Sequence, residues 1–190
     1  MIIGIIPKIT EKYKDQFELS LEIKLISFLN KVFPRTKIKT LFNVNIKEKF
    51  DILIISGGND LISHKKLKNN YMRNKLNNFY FSQALKSNLP IIGICHGAHF
   101  IASKYNGKFK KTNSHVGTHK IFYENTSATI ISHHNYKIQK ISKKAEILAL
   151  ADDKSIELFK IKNKKIYGIV WHPERQKKID LIGKKIFKNI

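Results

Sequence analysis

Four short apolar runs dominate this chain, and the last three run straight into a segment with chemistry to offer. They are Ile2-Ile3-Gly4-Ile5-Ile6, Ile52-Leu53-Ile54-Ile55 before Ser56-Gly57-Gly58, Pro90-Ile91-Ile92-Gly93-Ile94 before Cys95, and Gly168-Ile169-Val170-Trp171 before His172. None of them alternates apolar with polar. A short continuous run of branched residues suits a strand buried on both faces, which is how strands of a parallel sheet are covered by helices.

The intervening segments agree with that architecture. Residues 16–33 place Phe17, Leu21, Leu25, Phe28, Leu29 and Val32 at helical spacing, and Pro34 stops the pattern. Residues 36–42 alternate weakly and read as a strand. Residues 73–87 and 96–105 read as helices, the second ending near Asn106-Gly107. Further strands are expected at 119–123, 128–132, 146–151, 155–161 and 165–171, and a last helix at 176–188. The expectation is an α/β fold, a three-layer sandwich with a mostly parallel central sheet. Its 190 residues suit one domain spanning 1–190.

Composition bounds the function classes. A single cysteine excludes an internal disulfide and fits a reducing compartment. The N-terminus lacks the basic start and cleavage site of a secretory signal. No apolar run approaches the roughly 18 residues of a membrane helix, so no membrane partner is expected and the expected location is cytoplasmic. The net charge is +22, yet only Arg35, Arg73 and Arg175 are arginine and the lysines are spread along the chain. With abundant Asn and Ile and no aromatic-basic module, the lysine excess reads as compositional drift. No specific nucleic-acid partner is expected, although the charge favours an anionic substrate.

Three signals carry chemistry, each at the carboxyl end of an expected strand, where open α/β sheets place ligands. In Gly93-Ile94-Cys95-His96-Gly97, flanking glycines permit a sharp strand-to-helix turn that exposes Cys95 as a nucleophile. The N-terminus of the following helix favours its thiolate. In His172-Pro173-Glu174, an extended segment held by Pro173 would turn both side chains to one side, so that Glu174 orients the His172 imidazole toward the thiol. In Ser56-Gly57-Gly58, paired glycines expose backbone N–H groups. With the N–H of His96, those of Gly57 and Gly58 would hold the oxyanion of a tetrahedral intermediate.

In this order, a Gly-Gly loop, a Gly-x-Cys-x-Gly elbow and a His-x-Glu pair make the sequence resemble the class I glutamine amidotransferase superfamily over nearly its whole length. Within it the chain is similar to the stand-alone γ-glutamyl hydrolase branch. The shared features are Ser-Gly-Gly-Asn-Asp-Leu (56–61), Pro-Ile-Ile-Gly-Ile-Cys-His-Gly-Ala (90–98), Ser-His-Val-Gly-Thr-His (114–119), Ser-His-His-Asn (132–135) and Gly-Ile-Val-Trp-His-Pro-Glu-Arg (168–175). Among branch members, it looks like the γ-glutamyl-γ-aminobutyrate hydrolases and, in size and in the spacing around 113–124, the γ-glutamyl-CDP-amidate hydrolases.

The resemblance implies the flavodoxin-like class I amidotransferase fold. It also implies a cysteine-dependent hydrolysis of a small γ-glutamyl amide through a thioester, with Cys95, His172 and Glu174 catalytic. His96, His99, His133, His134 and Asn135 would line the substrate pocket. Three positions depart from the family pattern. His99 stands where many members have glutamine, and His96 where the γ-aminobutyrate branch has arginine. Arg73-Asn74-Lys75-Leu76-Asn77 lacks two carboxylates of that branch.

No cofactor is implied. His96 with His99, and His115 with His119, have spacings that metal sites use, but no spacing supplies an obvious third ligand. They are read as ordinary pocket or loop histidines, and no metal is expected. Two alternatives stay open: a glutaminase subunit feeding ammonia to a separate synthase, and a non-catalytic binding module of the same fold.

Overall fold

A computed structural model describes residues 1–176 and 181–188. The first half runs β1 (Ile2–Ile6), β2 (Lys8–Tyr13), β3 (Gln16–Ser20), α1 (Ile23–Val32), β4 (Lys37–Thr40), β5 (Ile52–Ile55), α2 (Lys68–Lys86), β6 (Ile91–Ile94) and α3 (His96–Lys104). The second half is strand-rich: β7 (Lys108–Lys111), β8 (Val116–Tyr123), β9 (Thr126–His133), β10 (Tyr136–Lys140), β11 (Ala145–Ala151), β12 (Ile156–Ile161) and β13 (Ile166–Ile169). A helix α4 (Leu181–Lys188) follows.

The four apolar runs lie side by side. Strands β4, β1, β5, β6 and β13 are neighbours in that order and all parallel. Beyond β13 the same sheet continues antiparallel through β12, β11, β8 and β9. Helices cover both faces of the parallel half. Ile3, Ile5, Ile52, Ile54, Ile92, Ile94 and Ile169 point to the face packed by Leu25, Phe28 and Leu29 of α1 and by Ile186 and Phe187 of α4. Ile6, Leu53, Ile55, Ile91 and Val170 point the other way, to Leu76, Tyr80 and Phe81 of α2 and Phe100 and Ile101 of α3. Strands β1, β5, β6 and β13 therefore each serve two cores, which is why they need no polar residue and read as unbroken runs.

Some expectations need correction. Residues 16–20 are not helical. They pair with β2 as an antiparallel hairpin, and the helix starts only at Ile23. The helical spacing of Phe17 and Leu21 was coincidental: Phe17 lies against the Lys68 ammonium of α2, 5.5 Å from its ring centre. Helix α2 starts five residues earlier than expected, at Lys68 rather than 73. Strands β7 and β10 were missed because alternating lysines such as those of Lys108-Phe109-Lys110-Lys111 carry no apolar signal. Of the last expected helix, 181–188 is helical, Gln176 is not, and 177–180 lie outside the described residues. No described helix is long and apolar enough to cross a membrane.

Candidate active site

Adjacent parallel strands bring three distant segments to one sheet edge. Ile55 of β5 lies opposite Gly93 of β6, and Ile94 opposite Ile169 of β13. The loops that leave these strands thus emerge level with one another, carrying Gly57, Cys95 and His172.

Cys95 sits at φ +50° and ψ −102°, a left-handed backbone conformation that costs energy for a side-chain-bearing residue and is held only by its surroundings. Two contacts make the turn compulsory. Its N–H donates to Ile169 O at 2.8 Å, extending the β6–β13 ladder, and its C=O accepts from His99 N at 3.0 Å, opening α3. The glycines around it permit the close approach. A Cβ at Gly97 would lie 2.1 Å from Ile55 O, and one at Gly93 would lie 2.3 Å from the Gly97 carbonyl carbon. His96 is the first residue of α3, so its N–H has no acceptor within the helix and points out at the helix N-terminus.

The Cys95 and His172 side chains line the same cavity beside Gly57. Both crowd Gly57, where a Cβ would meet His172 Cε1 at 2.9 Å and Cys95 Cβ at 3.6 Å, so only glycine leaves them room. The His172 N–H donates to Ile131 O at 3.0 Å, which anchors the residue to β9 beyond the end of β13. Its Nδ1 donates to Glu174 Oε1 at 2.7 Å, and both side chains are only 3% exposed. Pro173–Arg175 forms a single 3-10 turn rather than the expected extended segment. The histidine–glutamate contact is thus made by curling the chain, not by the side alternation of a strand.

The electrostatics follow from this packing. Burial alone would push the His172 imidazole down, but its interactions with Cys95 and with the Glu174 carboxylate outweigh it and raise its pKa to about 10. At neutral pH the imidazole is therefore held as a cation. Arg175 forks onto Glu22 with Nε and Nη2 contacts of 2.8–3.0 Å, placing a further cation beside Glu174 and Cys95.

A cavity of about 380 Å³ opens above the thiol. Its lining includes Gly58, His96, His99, His133, His134 and Asn135, all expected there. Their roles differ. His133 turns its side chain to solvent, and it is its carbonyl oxygen that approaches Cys95 Sγ at 3.8 Å. His96 is buried, and desolvation, with the Arg73 charge next, pushes its pKa well below the ordinary value. The neutral ring accepts from Asn77 Nδ2 at 2.9 Å. Both ring nitrogens of His99 face carbonyls, of Cys95 at 2.9 Å and Tyr136 at 2.8 Å. Arg73 is fully buried and donates to Ser56 O at 3.0 Å and Asn77 Oδ1 at 3.1 Å, tying α2 to the Ser56-Gly57 loop. Asn77 takes the place where the γ-aminobutyrate branch carries a carboxylate.

Lys8, Asn59 and His64 are among the lining residues given no role from sequence. Lys8 packs on Gly58, which is left-handed at φ +80°. Asn59 clasps Ile9 of β2 with bonds of 2.9 and 2.8 Å. His64 stacks on Tyr136 at 3.7 Å. The first two depend on the β2–β3 hairpin. Lys8-Ile9-Thr10-Glu11-Lys12-Tyr13 carries no apolar alternation that would have announced it.

Among the described residues, two groups bring three potential metal-ligand atoms within 4.8 Å of one another: Glu22, His172 and Glu174, and His115, His119 and Glu157. The first is satisfied internally, since Arg175 holds Glu22 and His172 holds Glu174.

The family model for glutamine amidotransferase class-I matches residues 14–189. The chain belongs to that family. The γ-glutamyl-CDP-amidate hydrolase of Campylobacter jejuni is 34% identical over 130 residues, which span 68% of this chain and 65% of that relative. The glutamine-hydrolyzing GMP synthase subunit of Methanocaldococcus jannaschii is 29% identical over 80% of this chain and 78% of its own. The amidotransferase fold is shared with a candidate GMP synthase subunit of Thermoplasma acidophilum, at TM-score 0.73 and 20% identity over all of this chain and 91% of that one. The structure of a glutamine amidotransferase from Thermotoga maritima superimposes with TM-score 0.66 at 12% identity, covering 91% of this chain and 76% of that one.

Proposed function

We propose that this chain is a cysteine-dependent hydrolase that cleaves the amide C–N bond of a small γ-glutamyl compound. One observation carries the reading: a cysteine forced into a left-handed elbow shares a cavity, across Gly57, with an imidazole that donates to a buried carboxylate. The Cys95 thiolate attacks the γ-carbonyl carbon, forming a C–S bond and an oxyanion. The N–H groups of His96 and of the Gly57-Gly58 loop receive that oxyanion. The His172 imidazolium gives its Nε2 proton to the leaving nitrogen as the C–N bond breaks. Neutral His172 then takes a proton from water, and the resulting hydroxide attacks the thioester. The C–S bond breaks, glutamate leaves and the thiolate returns.

The amine side of the substrate is the finer part of the proposal. Lys8 and Arg175 line the cavity and suit an anionic leaving group, as does the similarity to a γ-glutamyl-CDP-amidate hydrolase. A second reading is a glutaminase that serves a separate synthase, favoured by the relatives named as glutamine-hydrolyzing GMP synthase subunits.

The test is glutamate release from glutamine, γ-glutamyl-γ-aminobutyrate and a γ-glutamyl phosphoramidate nucleotide, with Cys95→Ala alongside. Turnover of the nucleotide that falls by about 10³-fold or more in Cys95→Ala is the expected result. Turnover of glutamine alone, rising when a synthase is added, establishes the second reading. No turnover together with a thiol that resists iodoacetamide overturns both.

A further inference from the structure

A second cluster of titratable groups lies behind the wall of the cavity, and the proposed hydrolysis does not use it. Glu157 of β12 is fully buried with no lysine or arginine against it in the described contacts; three histidines surround one of its oxygens instead. From Glu157 Oε1 the distances are 3.0 Å to His115 Nδ1, 3.5 Å to His119 Nε2 and 3.6 Å to His134 Nε2. In a tetrahedral zinc site with bonds of about 2.0–2.1 Å, neighbouring ligand atoms stand about 3.3–3.4 Å apart. The three edges from Glu157 Oε1 are near that length, and the ligand atoms of His115, His119 and Glu157 all lie within 4.8 Å of one another, with His134 approaching from the Glu157 side.

The outward hydrogen bonds fix which nitrogens face inward. His134 Nδ1 lies 2.9 Å from Tyr136 O, and a carbonyl only accepts, so Nδ1 carries the proton. In the neutral ring Nε2 then presents a lone pair toward a carboxylate oxygen, two electron-rich atoms facing each other in a buried space. That nitrogen has no hydrogen-bond partner, and neither has Glu157 Oε2. His115 Nε2 reaches Asp153 Oδ2 at 3.2 Å, and Asp153 is in turn held by Lys137 and Ser155. A histidine backed by a carboxylate in this way is the usual outer support of a zinc ligand.

We propose that His115, His119, His134 and Glu157 bind one zinc ion, with Asp153 orienting His115. The ion supplies the positive charge that lies between the His134 lone pair and the carboxylate. It also ties β8 and β12 to the 133–135 segment, whose His133 carbonyl faces Cys95. The site therefore braces one wall of the cavity, whatever Cys95 does.

The test uses the full chain stripped with a chelator, both unsubstituted and as Cys95→Ala so that the thiolate takes no metal. Zinc uptake of about one ion per chain is expected in both, with a rise in Tm. Cobalt(II) substitution is expected to give the intense visible bands of tetrahedral coordination. His119→Ala and Glu157→Gln should each lose affinity by well over tenfold, and Asp153→Asn by about tenfold or more. The cobalt spectrum is read on the unsubstituted site, so it does not depend on the variants folding. A folded Cys95→Ala protein that takes up no zinc, or that gives an octahedral cobalt spectrum, overturns the proposal. So does unchanged zinc affinity in folded His119→Ala.

Discussion

At the scale of single residues, the charge state of His172 decides what the site can do. Its pKa is raised in the folded protein, so the ion pairs that raise it stabilise the fold fully below the ordinary histidine value of about 6.5. That stabilisation is lost as pH rises through about 10. Removing one partner should move this window. Glu174→Gln is expected to lower the imidazole pKa, read directly from the His172 ring resonances in an NMR titration. It should also shrink the fall in urea midpoint between pH 7 and pH 10.5, and slow turnover by about 10²- to 10⁴-fold by loosening the tautomer and orientation of the ring. An unchanged titration in Glu174→Gln would mean that the 2.7 Å contact does not set the charge.

At the scale of elements, the site depends on how closely α3 lies on the sheet. Gly97 is the contact point, and a methyl group there meets the Ile55 backbone oxygen at 2.1 Å, where nothing flexible can yield. Gly97→Ala is expected to cost about 3 kcal/mol or more in chemical denaturation, since strand and helix must separate. Gly117→Ala is the comparison. Nothing lies within 4 Å of its added Cβ, but φ is +105°, so only the backbone penalty of about 1 kcal/mol is expected. Equal costs would show that packing at the elbow is looser than the geometry requires. The same scale explains which elements were legible. Strands β1, β5, β6 and β13 are buried on both faces and announce themselves as apolar runs. Strand β7 has one half-buried residue among exposed lysines, and β3 only a half-buried Phe17, so pairing partners rather than their own side chains decide that they are strands.

At the scale of the whole molecule, the charge of +22 sits on a chain with few compensating acids. The ion pairs Lys12–Glu18, Lys68–Asp15 and Lys185–Glu124 are exposed and offset little of the mutual repulsion. Raising salt from about 0.01 M to about 0.15 M shortens the screening length from about 30 Å to about 8 Å. Tm is therefore expected to rise, by roughly 2–4 °C for each kcal/mol of repulsion removed. A flat or falling Tm across that range, read by calorimetry, would mean that the lysines are spaced widely enough not to interact. The four apolar runs and the order of the Gly-Gly, Cys and His-x-Glu segments were determined by the sequence itself, because burial on two faces and a sharp turn each leave a local mark in residue type. Which distant residues meet was decided by the tertiary structure. The approach of Lys8 to Gly58 beyond the paired ends of β1 and β5, and the gathering of His115, His119 and His134 around Glu157, rest on strand pairing between segments far apart in the chain. Such contacts are set by sheet register and leave no periodic trace in any one segment.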